Sequence, residues 1–433
     1  MNATTVEPTT TIAGATPDLP KTQQRVESLD LIRGIAVMGI VIANVTSLGA
    51  LSIVYVWPSA DGPLTTGEQI AWMLQYMFVD GKMRGVFALL FGVGMAIFVD
   101  RAVERTGMFR GYSLQMRRLV WLFAFGIAHY FLLFTGDILH DYAVAGLIVL
   151  LFLWLPAKWM FGIAALLFVA YTAFPVYALN QFREYEVAAQ AAPADAGIRQ
   201  GYEAELAEAV ANAREDAQVM TDGSLPQIVQ YRIETDGFSM LDHPERWLPE
   251  YALLMLMGAG LYRMGFFVDR FRRKRRLWLG LTGITLSAIA AIPFGLWAIE
   301  QGFPRALTKF VFYGPSLAKN LPMILGYVAV LTAISGTFLA TGLGERIAAA
   351  GRMAFSNYIG TSLVAAVVFQ GWGFGLFDAF DKVERLWFVA LIWILMLLWS
   401  KPWLERFRFG PLEWAWRCLT YWRLFPLRRE RPN

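Results

Sequence analysis

Three polar side chains stand where a bilayer would offer them nothing. The stretch Ser-Leu-Asp-Leu-Ile-Arg-Gly-Ile-Ala-Val-Met-Gly-Ile-Val-Ile-Ala-Asn, residues 28 to 44, opens an apolar run long enough to cross a membrane, yet it carries Asp30, Arg33 and Asn44. At about 100° per residue, Arg33 and Asn44 fall within roughly 20° of each other and Asp30 lies about 60° away, so the three share a helix face that must look into protein. Asn44 sits roughly 16 Å beyond Arg33, near the midplane of a hydrocarbon core about 30 Å thick. Polar groups at that depth are candidate functional residues.

His129 repeats the pattern. It lies as far from Arg118 as Asn44 lies from Arg33, which puts the imidazole and the amide at matching depths. An imidazole there can take and return a proton near neutral pH, or serve as a hydrogen bond between helices. Asp137, eight residues on, is expected about 12 Å nearer the far surface, with His140 and Asp141 beyond it; Gly136-Asp137 also reads as an ordinary turn. Lys82 and Arg84, beside Asp80, read either as snorkelling cations or as a clamp for a substrate. Arg33 and Arg352 are candidates for holding a phosphorylated donor, although arginines on that side also mark topology. Asn357 and Tyr358 are weaker versions of Asn44. Gly92 and Gly94 read as a close helix approach, since no strand precedes them to make a phosphate loop.

The elements that must position these residues are transmembrane helices. Of 433 residues, 57% are hydrophobic and only 17% charged, which excludes a disordered chain or an ordinary soluble one. Long uncharged runs without period-two alternation recur from residue 31 to 400, so the fold class is an all-α polytopic membrane protein rather than a β-barrel. About ten spans are expected: 31–56, a broken or tilted region 70–99 interrupted at Asp80 to Gly85, 119–134, a return to about 155, a run to about 179, then 248–267, 277–299, 312–340, 353–377 and 386–402. Residues 1–24 read as a disordered tail, 25–180 as the first five helices, 181–247 as an acidic extracytoplasmic insert with helix near 202–220, 248–404 as the last five, and 405–433 as a basic cytoplasmic tail. Both termini in the cytoplasm place the three arginine-rich regions together, opposite the insert. Five spans on either side of the insert are compatible with two five-helix halves, though no internal repeat is visible.

The net charge of +4 follows this sidedness and points to membrane lipid rather than nucleic acid as a partner. One cysteine, Cys418, excludes an intramolecular disulfide, and three scattered histidines give no metal-site spacing. A homodimer stays open.

Six segments in register, SLDLIRGIAVMGIVIAN, DGKMRGVFALLFGVGMAIF, GIAHYFLLFTGDIL, GAGLYRMGFF, GRMAFSNYIG and FGPLEWAWRCLTYW, resemble the YeiB-like family of bacterial inner-membrane proteins over about residues 25 to 423. That family is similar, chiefly in its first span, to the wider transmembrane acyltransferase superfamily, including heparan-α-glucosaminide N-acetyltransferase and acyltransferase family 3. The resemblance implies transfer of an acyl group, typically acetyl from acetyl-CoA, to an extracytoplasmic sugar, glycan or small-molecule acceptor. Asp30, Arg33, Gly34 and Asn44 match the heparan enzyme's first span, where the asparagine belongs to the site. That enzyme's catalytic histidine follows shortly after; here residues 45 to 57 hold none, so His129 is the candidate base. Ten spans, midplane polar groups and an interrupted second span also suit a transporter or exporter, the second reading.

Overall fold

The computed structural model describes residues 21–191, 195–268 and 271–429; the expected tail up to residue 20, and Asp269 and Arg270 of the expected cationic run, lie outside them. Its helices are α1 (Lys21–Gly49), α2 (Thr66–Phe78), α3 (Lys82–Thr106), α4 (Met108–Leu132), α5 (Leu139–Leu150), α6 (Ala157–Gln190), α7 (Ala196–Asp222) and α8 (Leu225–Thr235). They continue with α9 (Leu248–Arg263), α10 (Arg273–Glu300), α11 (Arg305–Tyr313), α12 (Ser316–Phe338), α13 (Gly342–Arg352), α14 (Ala354–Phe369), α15 (Leu386–Arg406) and α16 (Pro411–Tyr421). No strand occurs among the described residues, only an isolated bridge between Phe407 and Arg428.

Six segments are long and apolar enough to cross a membrane, carried by α1, the α2–α3 pair, α6, α10, α12 and α15; α13 and α14, bent by 84° at Met353, make a seventh if taken as one span. The other expected spans fall on helices that fail the length and apolarity test for physical reasons. α5 has 12 residues and α9 has 16, and both are walled in by other helices, so neither has to match the bilayer thickness alone. α4 is long, but Gln115, Arg117, Arg118 and His129 dilute its apolarity. The chain is a multi-pass helical membrane protein. Leu166, Val169 and Phe174 on α6, Leu286 and Ile289 on α10, and Leu398 on α15 turn outward, as helix faces in contact with lipid do.

The centre is α3 crossing α9. Residues 251 to 256 of α9 are all buried, and the two backbones meet where neither helix has a side chain to separate them. A Cβ on Gly92 would lie 2.0 Å from the Met255 carbonyl oxygen, and one on Gly258 would lie 1.9 Å from that of Leu89. The close-approach reading of Gly92 is thereby met; Gly94 instead lies beside Arg33. One core cluster draws on both sides of the insert, from α1 through α15, so the two sets of five expected spans are packed as a single body.

Three features of the layout matter for the site. α1 stops at Gly49, whose carbonyl accepts the Asp378 amide, short of the expected end at residue 56. The region expected to be broken or tilted is interrupted where anticipated: Asp80 and Gly81, the latter at φ +75°, separate α2 from α3. At the two ends of the described chain, residues 21–24 belong to α1, and α16 packs onto α4 through Trp416 donating to the Arg118 carbonyl (2.8 Å).

Arg263 of α9 donates to the Leu155 carbonyl (2.6 Å) and to Asp100 (3.1 Å), tying the ends of α3, α5 and α9 to one face of the bundle together with the arginine-rich start of α4. The insert covers the opposite face. Its Arg232 donates to the carbonyls of Phe131 (3.0 Å) and Leu133 (3.4 Å), and the backbone amide of Gly371 donates to the Met220 carbonyl.

Gly258→Val forces a branched side chain into a backbone carbonyl and should cost about 3 kcal/mol or more. Thermal melting of the detergent-purified protein should show a clear drop in Tm, whereas Gly162→Ala, with no neighbour within 4 Å, should leave Tm unchanged or slightly higher.

Candidate functional site

Asp137 is the hub. α4 ends at Leu132, the chain reverses through residues 133 to 138, and α5 starts back into the bundle. The expected 12 Å separation from His129 is therefore wrong, because it extended the helical rise across a turn. Asp137 Oδ1 lies 2.6 Å from His129 Nδ1, and both side chains are fully buried. Asp137 Oδ2 receives the amides of Leu139 (2.8 Å) and His140 (3.0 Å) and lies 2.8 Å from His140 Nδ1. Four nitrogen donors on one carboxylate hold it ionised.

The sequence makes this packing local. Gly126, one turn before His129, faces the returning chain: a Cβ there would lie 2.4 Å from the His140 nitrogen and 2.9 Å from Asp137 Oδ2. Its spacing from His129 is the signal that sequence reading missed.

An imidazole bound to a carboxylate through Nδ1 carries its proton there when neutral, which leaves Nε2 as an acceptor. His129 Nε2 is buried and has no partner. The Tyr358 ring centroid lies 5.1 Å from that of His129, and the Tyr358 hydroxyl accepts the Ile138 amide (3.3 Å). Chemically, an imidazole held in this way by a carboxylate can act as a general base.

Two cavities lie on either side of this layer. The first, of about 230 Å³, opens at the arginine-rich face and is lined by Arg33, Val37 and Ile40 of α1, Gln115, Arg118 and Leu122 of α4, and Arg352 at the α13–α14 bend. It reaches Ile138, Leu139, Tyr142 and Tyr358, which border the His129–Asp137 pair. Arg33 is paired with buried Asp30 at 2.8 Å. Arg118 has no ion pair among the described residues; its guanidinium lies 4.1 Å from the Trp416 ring centroid. Glu413 and Trp416 of α16 complete the wall. Glu413 caps α14, accepting the amides of Phe355 (2.8 Å) and Ser356 (3.0 Å) and the Ser356 hydroxyl, and burial still raises its carboxyl above the usual range. Sequence reading took this helix as basic tail and missed both residues.

The second cavity, of about 290 Å³, lies under the insert. Ser47 and Leu48 of α1, Tyr130 and Leu133 from the end of α4, Gln370, and Asp216, Arg232 and Asp236 of the insert line it. Burial pushes the carboxyls of Asp216 and Asp236 up, and burial brings Arg232 down to about 10.

Asn44 falls on the α1 stripe between the lining of the first cavity and that of the second, as His129 does on α4. No contact joins them. Asn44 is half-buried, makes no hydrogen bond among the described residues and lines neither cavity.

Three other candidates are turned away from both cavities. Lys82 is fully buried and donates to the Tyr76 carbonyl at 2.5 Å. Arg84 lies 3.5 Å from Glu250 and over the Tyr251 ring. Asn357 donates to the Ala350 carbonyl (3.0 Å) and to Ser400 (3.1 Å) and accepts from Trp399 (2.8 Å), which commits it to the junction of α13, α14 and α15.

A family described as "Protein of unknown function (DUF418)" matches residues 261–423. The "Uncharacterized protein YeiB" of Escherichia coli (strain K12) is 28% identical over 403 residues, covering 92% of this chain and 96% of that protein. The "Uncharacterized protein YxaH" of Bacillus subtilis (strain 168) is 25% identical over 433 residues, covering 94% and 97%. No solved structure matches the chain. These similarities support a YeiB-like relationship over nearly the whole chain and bring no activity with them.

Gly126→Ala places a methyl group against the His140 backbone, so the 137–140 turn must move off α4. Proton NMR of the detergent-solubilised protein should lose the downfield Nδ1–H signal of a His129 bonded to Asp137, together with a fall in Tm.

Proposed function

We propose that the protein is a membrane-embedded acyltransferase that moves an acyl group, typically acetyl, from cytoplasmic acyl-CoA to an extracytoplasmic acceptor across the bacterial inner membrane. The observation that carries this reading is the first cavity, which has arginines at its mouth and the neighbours of a buried His–Asp pair at its end. Arg33, Arg118 and Arg352 suit the phosphates of the donor, and a space of about 230 Å³ suits the pantetheine arm and acyl end rather than a whole coenzyme A. The polar cavity under the insert suits an acceptor that offers a hydroxyl or amine, such as a sugar, a glycan or a small molecule.

In this reading His129 Nε2 takes the proton from the acceptor as its oxygen or nitrogen attacks the thioester carbon. The tetrahedral intermediate collapses, the carbon–sulfur bond breaks, and the thiolate leaves as coenzyme A after recovering a proton from the imidazolium. Asp137 fixes the tautomer and stabilises the imidazolium without taking the proton itself. Asn44, in the same layer on α1, donates to the thioester oxygen as it becomes negative. The amide has to turn toward α4 to do so.

A second reading as a transporter is favoured by one specific observation: two cavities on opposite faces separated by a single polar layer, the arrangement alternating access requires. The readings separate on whether acyl-CoA is consumed.

With radiolabelled acetyl-CoA and purified protein in liposomes, donor hydrolysis or transfer is expected, and His129→Ala should lower it at least about a hundredfold. An unchanged rate in that variant removes the base. Asn44→Ala should lower kcat by about a hundredfold. Arg352→Ala should raise KM for the donor about tenfold with kcat nearly unchanged, the pattern of a group that binds ground state and transition state alike. Solute counterflow without any acyl-CoA requirement would replace the transferase reading with the transporter.

A further inference from the structure

We infer that His140 is a standing imidazolium that sets the basicity of His129 by cancelling part of the charge on the carboxylate the two share. His140 Nδ1 lies 2.8 Å from Asp137 Oδ2, and its Nε2 lies 3.1 Å from Asp141 Oδ1. A neutral imidazole has one N–H, so with Asp141 ionised alongside Asp137, as the inference takes it to be, it can serve only one of the two carboxylates; meeting both as a donor requires both nitrogens to be protonated. Asp137 cannot supply the missing proton, because both of its oxygens already receive donors, from His129 on one side and from the Leu139 and His140 amides on the other.

His129 is the opposite case. Its second nitrogen is buried without a partner, which a charged ring would not tolerate. One carboxylate thus holds two imidazoles in different charge states: a neutral base and a cation. The groups facing the pair are Asp137 from the turn, His140 and Asp141 from α5, Tyr358 from α14, and Tyr130 of α4, whose ring centroid lies 6.0 Å from that of His140. Arg84 of α3, the nearby cation, is itself paired with Glu250 of α9.

The consequence for the base has a definite sign. Asp137 alone would favour the protonated form of His129 and fill its Nε2 before an acceptor arrived; the neighbouring cation weakens that pull. His140 touches no cavity and is a positioning residue, acting on His129 through Asp137. Its catalytic consequence rests on the transferase reading, whereas the charge assignment does not.

The test uses ¹⁵N-histidine labelling of the full chain in detergent, where three histidines give an assignable spectrum. His140 should show the imidazolium signature from pH 5 to 9, and His129 a single neutral tautomer protonated at Nδ1. His140→Gln should raise the proton affinity of His129 about tenfold, moving its midpoint up by about one pH unit, and should move the acid limb of the transfer rate by the same amount. Asp141→Asn, which keeps the ring but removes one carboxylate, should let His140 lose its proton within that range and carries the test if His140→Gln does not fold. A neutral His140 in the unaltered protein, or an unmoved His129 midpoint in His140→Gln, would overturn the inference. The expected spectra without any acyl transfer would uphold it and overturn only the transferase reading.

Discussion

A buried carboxylate with four nitrogen donors is the constraint from which the middle of this protein follows. An ionised side chain with no water around it must be surrounded by donors, and Asp137 finds them within its own turn and on the two helices the turn joins. To bring those donors in, α4 must end just after His129, α5 must begin at once, and α4 must present a glycine where the chain doubles back. Arg232 of the insert then satisfies carbonyls left open at the end of α4. The insert is therefore part of the mechanism that fixes the imidazole, as well as the roof of a cavity.

The rest of the bundle supports this layer through backbone contacts. α3 and α9 meet at Gly92 and Gly258, and α1 meets α13 where a Cβ on Gly34 would lie 2.1 Å from the Ile347 carbonyl oxygen and one on Gly351 would lie 1.8 Å from that of Asp30. Lipid does not drive helices together as water does, so association rests on close packing and hydrogen bonds. The Asp30–Arg33 pair sits at the second of these contacts, which explains why an acid and a base one turn apart open an otherwise apolar helix.

What could be read in the sequence was whatever depends on a regular helix. Hydropathy located the helices, the positions of arginine separated one face from the insert, and Asn44 and His129 each lie on an unbroken helix with the arginine they were measured from. The same rule failed for Asp137, where the chain turns. Depth also cannot separate a polar residue that serves a site from one that holds helices together. Asn357 and Lys82 are as buried as His129, but they are spent on Trp399, Ser400 and the Tyr76 carbonyl, partners far away in sequence or on the backbone. Glu413 was hidden for a related reason: a short amphipathic helix in a basic tail gives no sign that its one inward carboxylate will cap another helix.

The character of the wall between the two cavities bears on which activity it serves. A transporter needs that wall to open, and elements that slide or rock need side-chain interfaces able to repack. Here the wall is joined by a contact with no side chain to repack, Gly126 lying directly on the His140 backbone, and its polar groups are bonded to one another in a single arrangement. A group-transfer enzyme needs the converse: a fixed barrier to solutes with one reactive atom accessible to small motions of substrate from either side. His129 Nε2 is buried in that layer with a lone pair and no partner, and a wall joined in this way suits the proposed group transfer better than the passage of a whole solute.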